Sequence, residues 1–211
     1  MRRLVLCFSL IVLIVIALFG WSDAASIAVE SSAASRSESR QSIFSDPKIV
    51  RGDLANCQFT AVQNGDQLSL TFNKAVAASQ GKSRDRLRCR IATEITAEPE
   101  KDWYVHSIQS SIEGAIVQSP GARALVSVRA TFERKPILQV RETASVSLGG
   151  NAIGRSNNIP VDFVVSKAEQ CASTPKPLTG EAVLDFRLRA KGDTSAHLDS
   201  FDLYLIYLPC N

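Results

Sequence analysis

Hydrophobic and polar residues alternate along most of the chain from Cys57 onward. A period of two is typical of strands that bury one face and expose the other, as antiparallel sheets do. The pattern predicts strands over 68–73, 86–95, 126–133, 138–148 and 184–189. Two further apolar runs, 161–165 and 201–208, depart from the alternation. The second is apolar on both parities after Asp202, which predicts a central strand or a strand covered on both faces.

Turn-forming residues separate these runs. Asn64-Gly65-Asp66 predicts a tight hairpin immediately before Leu68. The segment Lys74–Gln80 is the one stretch with helical character, and its shortness leaves a loop turn as the alternative. Eight or nine short strands at this spacing predict an all-β fold, an antiparallel β-sandwich.

The N-terminus has the arrangement of a secretory signal. Arg2 and Arg3 precede an uncharged apolar run over 4–22, and small residues follow it. We therefore predict a signal peptide at 1–24, a Ser/Ala-rich disordered linker at 25–50 and a secreted domain at 51–211. The alternative is an uncleaved membrane anchor, because about 19 apolar residues can just span a bilayer. The domain is translocated under either interpretation.

Four cysteines remain beyond that segment, and an even number in an exported chain predicts two disulfides. Three connectivities are possible. We favour Cys57–Cys89 and Cys171–Cys210, each of which closes a loop of moderate length. A zinc site is the other use of cysteine, but no CxxC pair is present. We predict no metal and no cofactor.

Charge patterning singles out one candidate binding surface. The net charge of +3 is small for a dedicated nucleic-acid binder, and no membrane contact is predicted beyond the signal segment. The series Arg84, Arg86, Arg88 and Arg90 falls on one face of one predicted strand. Such a row would bind an extracellular polysaccharide or another polyanion. The alternative is a solvated strand whose charges block edge-to-edge aggregation.

Other candidate residues are more weakly supported. Trp103, beside Tyr104, would stack on a sugar ring, or it packs in the core or at its rim. His106 and His197 are the histidines available to a hydrolase, yet no G-x-S-x-G elbow is present. We therefore predict no catalytic residues.

The order of motifs resembles that of a known family. A first cysteine precedes a strand such as Leu68–Phe72, and an Ala-rich loop leads to Arg-x-Arg-Cys-x-Ile at 86–91. Pro99, an alternating segment with Gly114 and a later cysteine follow. This arrangement resembles the secreted proteins grouped as Domain of Unknown Function 4360, over roughly residues 52–211. The resemblance implies export, paired cysteines and no assigned activity.

These observations predict a secreted or surface-displayed protein with a non-enzymatic binding or structural role at the cell surface or extracellular matrix. A polyanion- or carbohydrate-binding module that uses Arg86, Arg88 and Arg90 is the first alternative, and Trp103 is a further candidate ligand-binding residue. A secreted hydrolase with an unrecognised site is the second.

Overall fold

The computed structural model describes residues 43–52, 54–98, 102–144 and 151–211. The predicted signal peptide and most of the predicted linker lie outside these residues. The elements of the described part are, in chain order, β1 (Lys48–Gly52), β2 (Phe59–Asn64), β3 (Gln67–Phe72), β4 (Val76–Ser79), β5 (Arg84–Ala97), β6 (Trp103–Gln118), β7 (Arg123–Phe132), β8 (Lys135–Ala144), β9 (Asn151–Pro160), α1 (Lys167–Gln170), β10 (Leu178–Lys191) and β11 (Thr194–Pro209).

The strands form two antiparallel sheets. The first has the order β1-β5-β10-β7-β8, and the second has the order β2-β3-β11-β6-β9, with β4 also paired to β11. The inner faces pack against each other, as the edge-to-face contact between Phe72 of β3 and Phe186 of β10 shows, with ring centroids 5.2 Å apart. The predicted antiparallel β-sandwich is confirmed.

Most predicted strands follow from the alternation. On β5, Leu87, Cys89 and Ile91 are buried while the residues between them reach the surface. The apolar run 201–208 lies in β11, which pairs with β3 and β4 on one side and with β6 on the other. The prediction that this run is a central strand is therefore confirmed.

Both favoured disulfides are present. Cys57, just before β2, is bonded to Cys89 on β5, so this bridge joins a segment of the second sheet to the first. Cys171 follows α1 and is bonded to Cys210 after β11. The Cα–Cα distances of 6.0 and 5.7 Å lie within the range of ordinary disulfides.

Two local expectations differ from the structure, and a third segment had no predicted element. Residues 43–50, the end of the predicted linker, belong to the sandwich, because Phe44 is buried and bridges Ile95 and β1 pairs with β5. The helical character of 74–80 is overridden by pairing of β4 with β11. The apolar run 161–165 forms a turn, in which Val161 and Val165 fill the core without joining a sheet.

Candidate functional site

The arginines of β5 lie on the outer surface of the first sheet. Burial of the alternate residues on this strand turns the remaining side chains toward solvent. The predicted sharing of one face is confirmed for the outward series Arg84, Arg86, Arg88 and Arg90.

Strand β10 sets a second row of cations beside the first. The two strands pair directly, and the register places Arg187 opposite Arg88, Arg189 opposite Arg86, and Lys191 opposite Arg84. Residues about 100 positions apart in the chain thus form one continuous surface.

The adjoining strands extend this surface on both sides. Arg123 of β7 lies opposite Lys191, Arg129 lies opposite Asp185, and Arg51 of the edge strand β1 lies opposite Arg90. Arg141 of β8 lies opposite Ser127 of β7. We name these outward rows the basic face. Its cations are Arg51, Arg84, Arg86, Arg88, Arg90, Arg123, Arg129, Arg141, Arg187, Arg189 and Lys191.

One carboxylate, Asp185, lies within these rows, all of which the structure describes. Its Oδ2 is 3.2 Å from Nη2 of Arg88, and its Oδ1 is 3.9 Å from Nε of Arg187. The Nε of Arg88 is buried and has no hydrogen-bond partner in the described part of the chain. Asp185 therefore offsets only a small part of the positive charge around it.

Acidic residues occupy the other end of the same surface. Glu94 and Glu181 lie opposite each other on β5 and β10, separated from the basic face on these two strands by the uncharged pair Ala92 and Val183. Lys48 of β1 lies opposite Ala92. The outer surface of the first sheet is thus polarised along its strands, which explains how a strongly basic region exists in a chain with a net charge of +3.

Like charges face each other across paired strands of this sheet. Directly opposed cations repel, at a cost of up to about 1 kcal/mol for each pair. On β10 the alternative of protection against edge pairing does not fit, because this strand lies between β5 and β7. On β5 it fits in part, because β1 pairs with residues 89–92, and the stretch with Arg84, Arg86 and Arg88 has β10 as its paired strand in the described part of the chain. Sheet protection therefore leaves the cations of β10 unexplained.

A groove of about 650 Å³ lies at the strand ends where β5 and β7 begin and β10 finishes. Its cationic lining comes from the last two rows of the basic face, and Asp85 is the one acidic residue in the lining. Its uncharged lining includes Leu125 and the turn before β7. The residues that define it are Arg84, Arg86, Arg123, Arg189 and Lys191, with Gly121, Ala122 and Leu125.

The structure does not bring Trp103 together with the arginines. Trp103 begins β6 in the second sheet, opposite Pro209 of β11, and its side chain is half-buried. The basic face lies on the outer surface of the other sheet. Strand placement thus puts Trp103 and the arginines Arg86, Arg88 and Arg90 in different sheets, which the sequence pattern did not specify. Stacking of Trp103 on a sugar stays a prediction.

The histidines have local partners. Nδ1 of His106 is 3.4 Å from the hydroxyl of Tyr104, and Nε2 of His197 is 3.4 Å from Oδ1 of Asp199. Within the described residues, neither ring is hydrogen-bonded to a serine or cysteine that would serve as a nucleophile. In that same part of the chain, no cluster of three or more histidine, cysteine or acidic residues is placed to hold a metal ion.

The residues of the basic face were only partly foreseen. The rows on β5 and β10 stand out as alternating cations, whereas Arg51, Arg123, Arg129 and Arg141 are dispersed in the sequence. The parity of Arg129 within the 126–133 run was the available signal for its outward orientation. Nothing in that run specifies pairing with β10.

Among the described residues, no helix has the length and apolar character needed to cross a membrane. The predicted signal segment lies outside them, so its cleavage stays a prediction.

No family model matches the chain, and no curated protein does either. The resemblance to Domain of Unknown Function 4360 therefore stays a prediction. Among solved structures, the fold of this chain is similar to the structure of TmCBM61 in complex with beta-1,4-galactotriose. The TM-score is 0.36 and the identity 11%, over 77% of this chain and 90% of that chain. No family membership follows from these comparisons.

Proposed function

We propose that this protein binds an anionic polysaccharide outside the cytoplasm through its basic face, without catalysing a reaction. The observation that carries the proposal is the direct opposition of cations across the paired strands β5 and β10, such as Arg86 and Arg189. An anionic ligand would convert this repulsion into attraction and would supply acceptors for the guanidinium groups.

The layout of the charges favours an extended ligand. Outward residues on one strand are about 7 Å apart, and neighbouring strands are about 4.8 Å apart. The basic face crosses five strands, from Arg51 on β1 to Arg141 on β8. A single small anion would touch a few of these cations, whereas a charged polymer would engage many of them.

The two disulfides support an extracellular polymer over an intracellular one. Bridges such as Cys57–Cys89 persist in oxidising compartments, where acidic and sulfated polysaccharides are the available polyanions. The predicted signal at 1–24 agrees with this location. A nucleic acid carries the same charge, so the test includes it as a competitor.

The test compares retention on immobilised heparin for the parent protein and Arg189→Glu. The substitution reverses a charge on the central strand of the face, yet it gives Arg86 a cross-strand acidic partner. We expect folding stability to be retained and affinity to fall about tenfold, with elution at lower salt.

Arg134→Glu is the matched control, because Arg134 is an exposed arginine in the β7–β8 turn outside the basic face. The control is expected to elute with the parent. Equal losses in both variants, or no retention of the parent near 0.15 M salt, would contradict the proposal. If double-stranded DNA releases the protein from immobilised heparin more effectively than soluble heparin does, the polysaccharide assignment is contradicted.

A further inference from the structure

The groove at the end of the basic face has an apolar lining and a defined volume as well as positive charge. We propose that it is a subsite for one ring-sized, multiply charged sugar unit of the polyanion, such as a sulfated or phosphorylated sugar. This inference rests on the proposed function and adds a specific subsite to it.

The groove concentrates cations that have no acidic partner. Arg84, Lys191 and Arg123 form one row across three strands, and Arg86 and Arg189 form the next. None of the five is ion-paired with another residue in the described ranges. Anionic groups on a ligand therefore meet guanidinium and ammonium groups that are free to bind them.

The one carboxylate in the lining is already engaged. Asp85 accepts the backbone N–H of Ala78 at its Oδ2, at 2.9 Å, and that of Arg86 at its Oδ1, at 2.7 Å. These two hydrogen bonds hold both oxygens against the backbone. Asp85 keeps its negative charge, but the five cations of the lining outnumber it, so the groove stays strongly positive.

The groove also has an apolar lining. Leu125 is half-buried on β7 and lies on the same surface as the arginines, whereas Ala124 and Ala190 belong to the inner face of the sheet and border the groove at the strand ends. The C–H face of a sugar can pack on the side chain of Leu125. The volume of about 650 Å³ falls in the range of small-molecule sites, roughly 300–1,000 Å³.

The wall of the groove is braced by hydrogen bonds between loops. Ser119 donates its N–H to the carbonyl of Asp193 at 2.9 Å, and Ser79 donates its hydroxyl to the carbonyl of Gly192 at 2.6 Å. Gly192 has φ of +83°, and a Cβ there would lie 3.1 Å from Ala122. A braced wall favours a preformed site, because little ordering is left for the ligand to impose.

The experiment measures binding of sucrose octasulfate by titration calorimetry near 0.15 M salt, with heparin as competitor. The variant pair Arg123→Ser with Lys191→Ser removes two charges from the groove. The matched pair Arg129→Ser with Arg187→Ser removes two charges from the same two strands outside it. Leu125→Trp fills the groove without changing the charge.

We expect one equivalent of sucrose octasulfate to bind and heparin to displace it. The groove pair should weaken this binding at least about tenfold, and the matched pair less than about threefold. Leu125→Trp should weaken sucrose octasulfate binding about as much as the groove pair while leaving most heparin retention. Circular dichroism and thermal melting verify that each variant is folded.

Equal losses for the two pairs, unaltered binding in Leu125→Trp, or failure of heparin to displace the probe would each overturn the subsite. Any of these results with heparin binding intact leaves the proposed function in place. Absence of heparin binding by the parent would instead remove the proposed function itself.

Discussion

At the scale of single residues, the basic face depends on how little of its charge is neutralised internally. Asp185 contacts Arg88 and Arg187 and lies opposite Arg90 and Arg129. Its carboxylate competes with any ligand for the same donors. The affinity of the face is therefore limited by a residue that also reduces repulsion in the free protein.

Replacing that carboxylate should strengthen binding and weaken the fold. We expect Asp185→Asn to raise heparin affinity about two- to fivefold, and to lower the free energy of unfolding by roughly 1 kcal/mol. The control Glu181→Gln removes an acid beyond the uncharged pair and should leave affinity nearly unchanged. Weaker heparin binding by Asp185→Asn would mean that this carboxylate helps to hold the ligand.

The sequence predicts which way these side chains point better than it predicts which residues lie beside them. Parity on β5 places Arg86, Arg88 and Arg90 on one surface, because a buried face fixes the register of a strand. Pairing of β10 with β5 and β7 joins residues that are far apart in the chain, and it depends on how the inner faces pack together. For this reason the width of the basic face is visible only in the structure.

At the scale of elements, predictions succeeded where hydrophobic periodicity was strong. The hairpin at Asn64-Gly65-Asp66 joins β2 to β3, and Gly65 has φ of +54°, which the turn requires. Strand β9 was not predicted. It is an edge strand that pairs on one side only, with β6. Its described side chains are mostly exposed.

The short helix α1 is fixed by a capping box that is sensitive to pH. The N–H of Ser166 donates to Oε2 of Glu169, and so does its hydroxyl, while Lys176 donates to Oε1. These contacts, the backbone N–H above all, lower the pKa of Glu169 from 4.5 to about 2. Because ionised Glu169 forms the box, its stabilisation is present above pH 4.5 and is lost as the pH falls toward 2.

Glu169→Gln should therefore be less stable than the parent at pH 7, by an amount that shrinks as the pH falls from 4.5 toward 2. Urea unfolding at several pH values measures this difference. The effect should be small, since the Glu169 side chain is half exposed. A difference that stays constant down to pH 2 would show that the charge of Glu169 does not act through the box.

At the scale of the whole molecule, the two disulfides secure different parts of the sandwich. Cys57–Cys89 crosses between the sheets directly beneath the basic face, since Cys89 lies between Arg88 and Arg90 on β5. Cys171–Cys210 fastens the C-terminal end of β11 to the segment after α1. The basic face and one of the two disulfides thus share strand β5.

Reduction should lower stability by about 3–4 kcal/mol for each bridge in the chain-entropy model. Intact mass of the secreted protein, with and without reductant, reports the number of bridges and the mature N-terminus together. We expect two bridges and an N-terminus near residue 25. Free thiols at Cys57, Cys89, Cys171 and Cys210 in native protein would contradict the oxidising location on which the choice of ligand rests.

Footprinting of arginine side chains tests the central claim most directly. A dicarbonyl reagent modifies accessible guanidinium groups, and mass spectrometry compares the extent of modification with and without heparin. The account predicts protection of Arg86, Arg189 and Arg123, while Arg134 in the β7–β8 turn reacts equally in both samples. Equal modification of all four arginines when heparin is bound would contradict a ligand on the basic face.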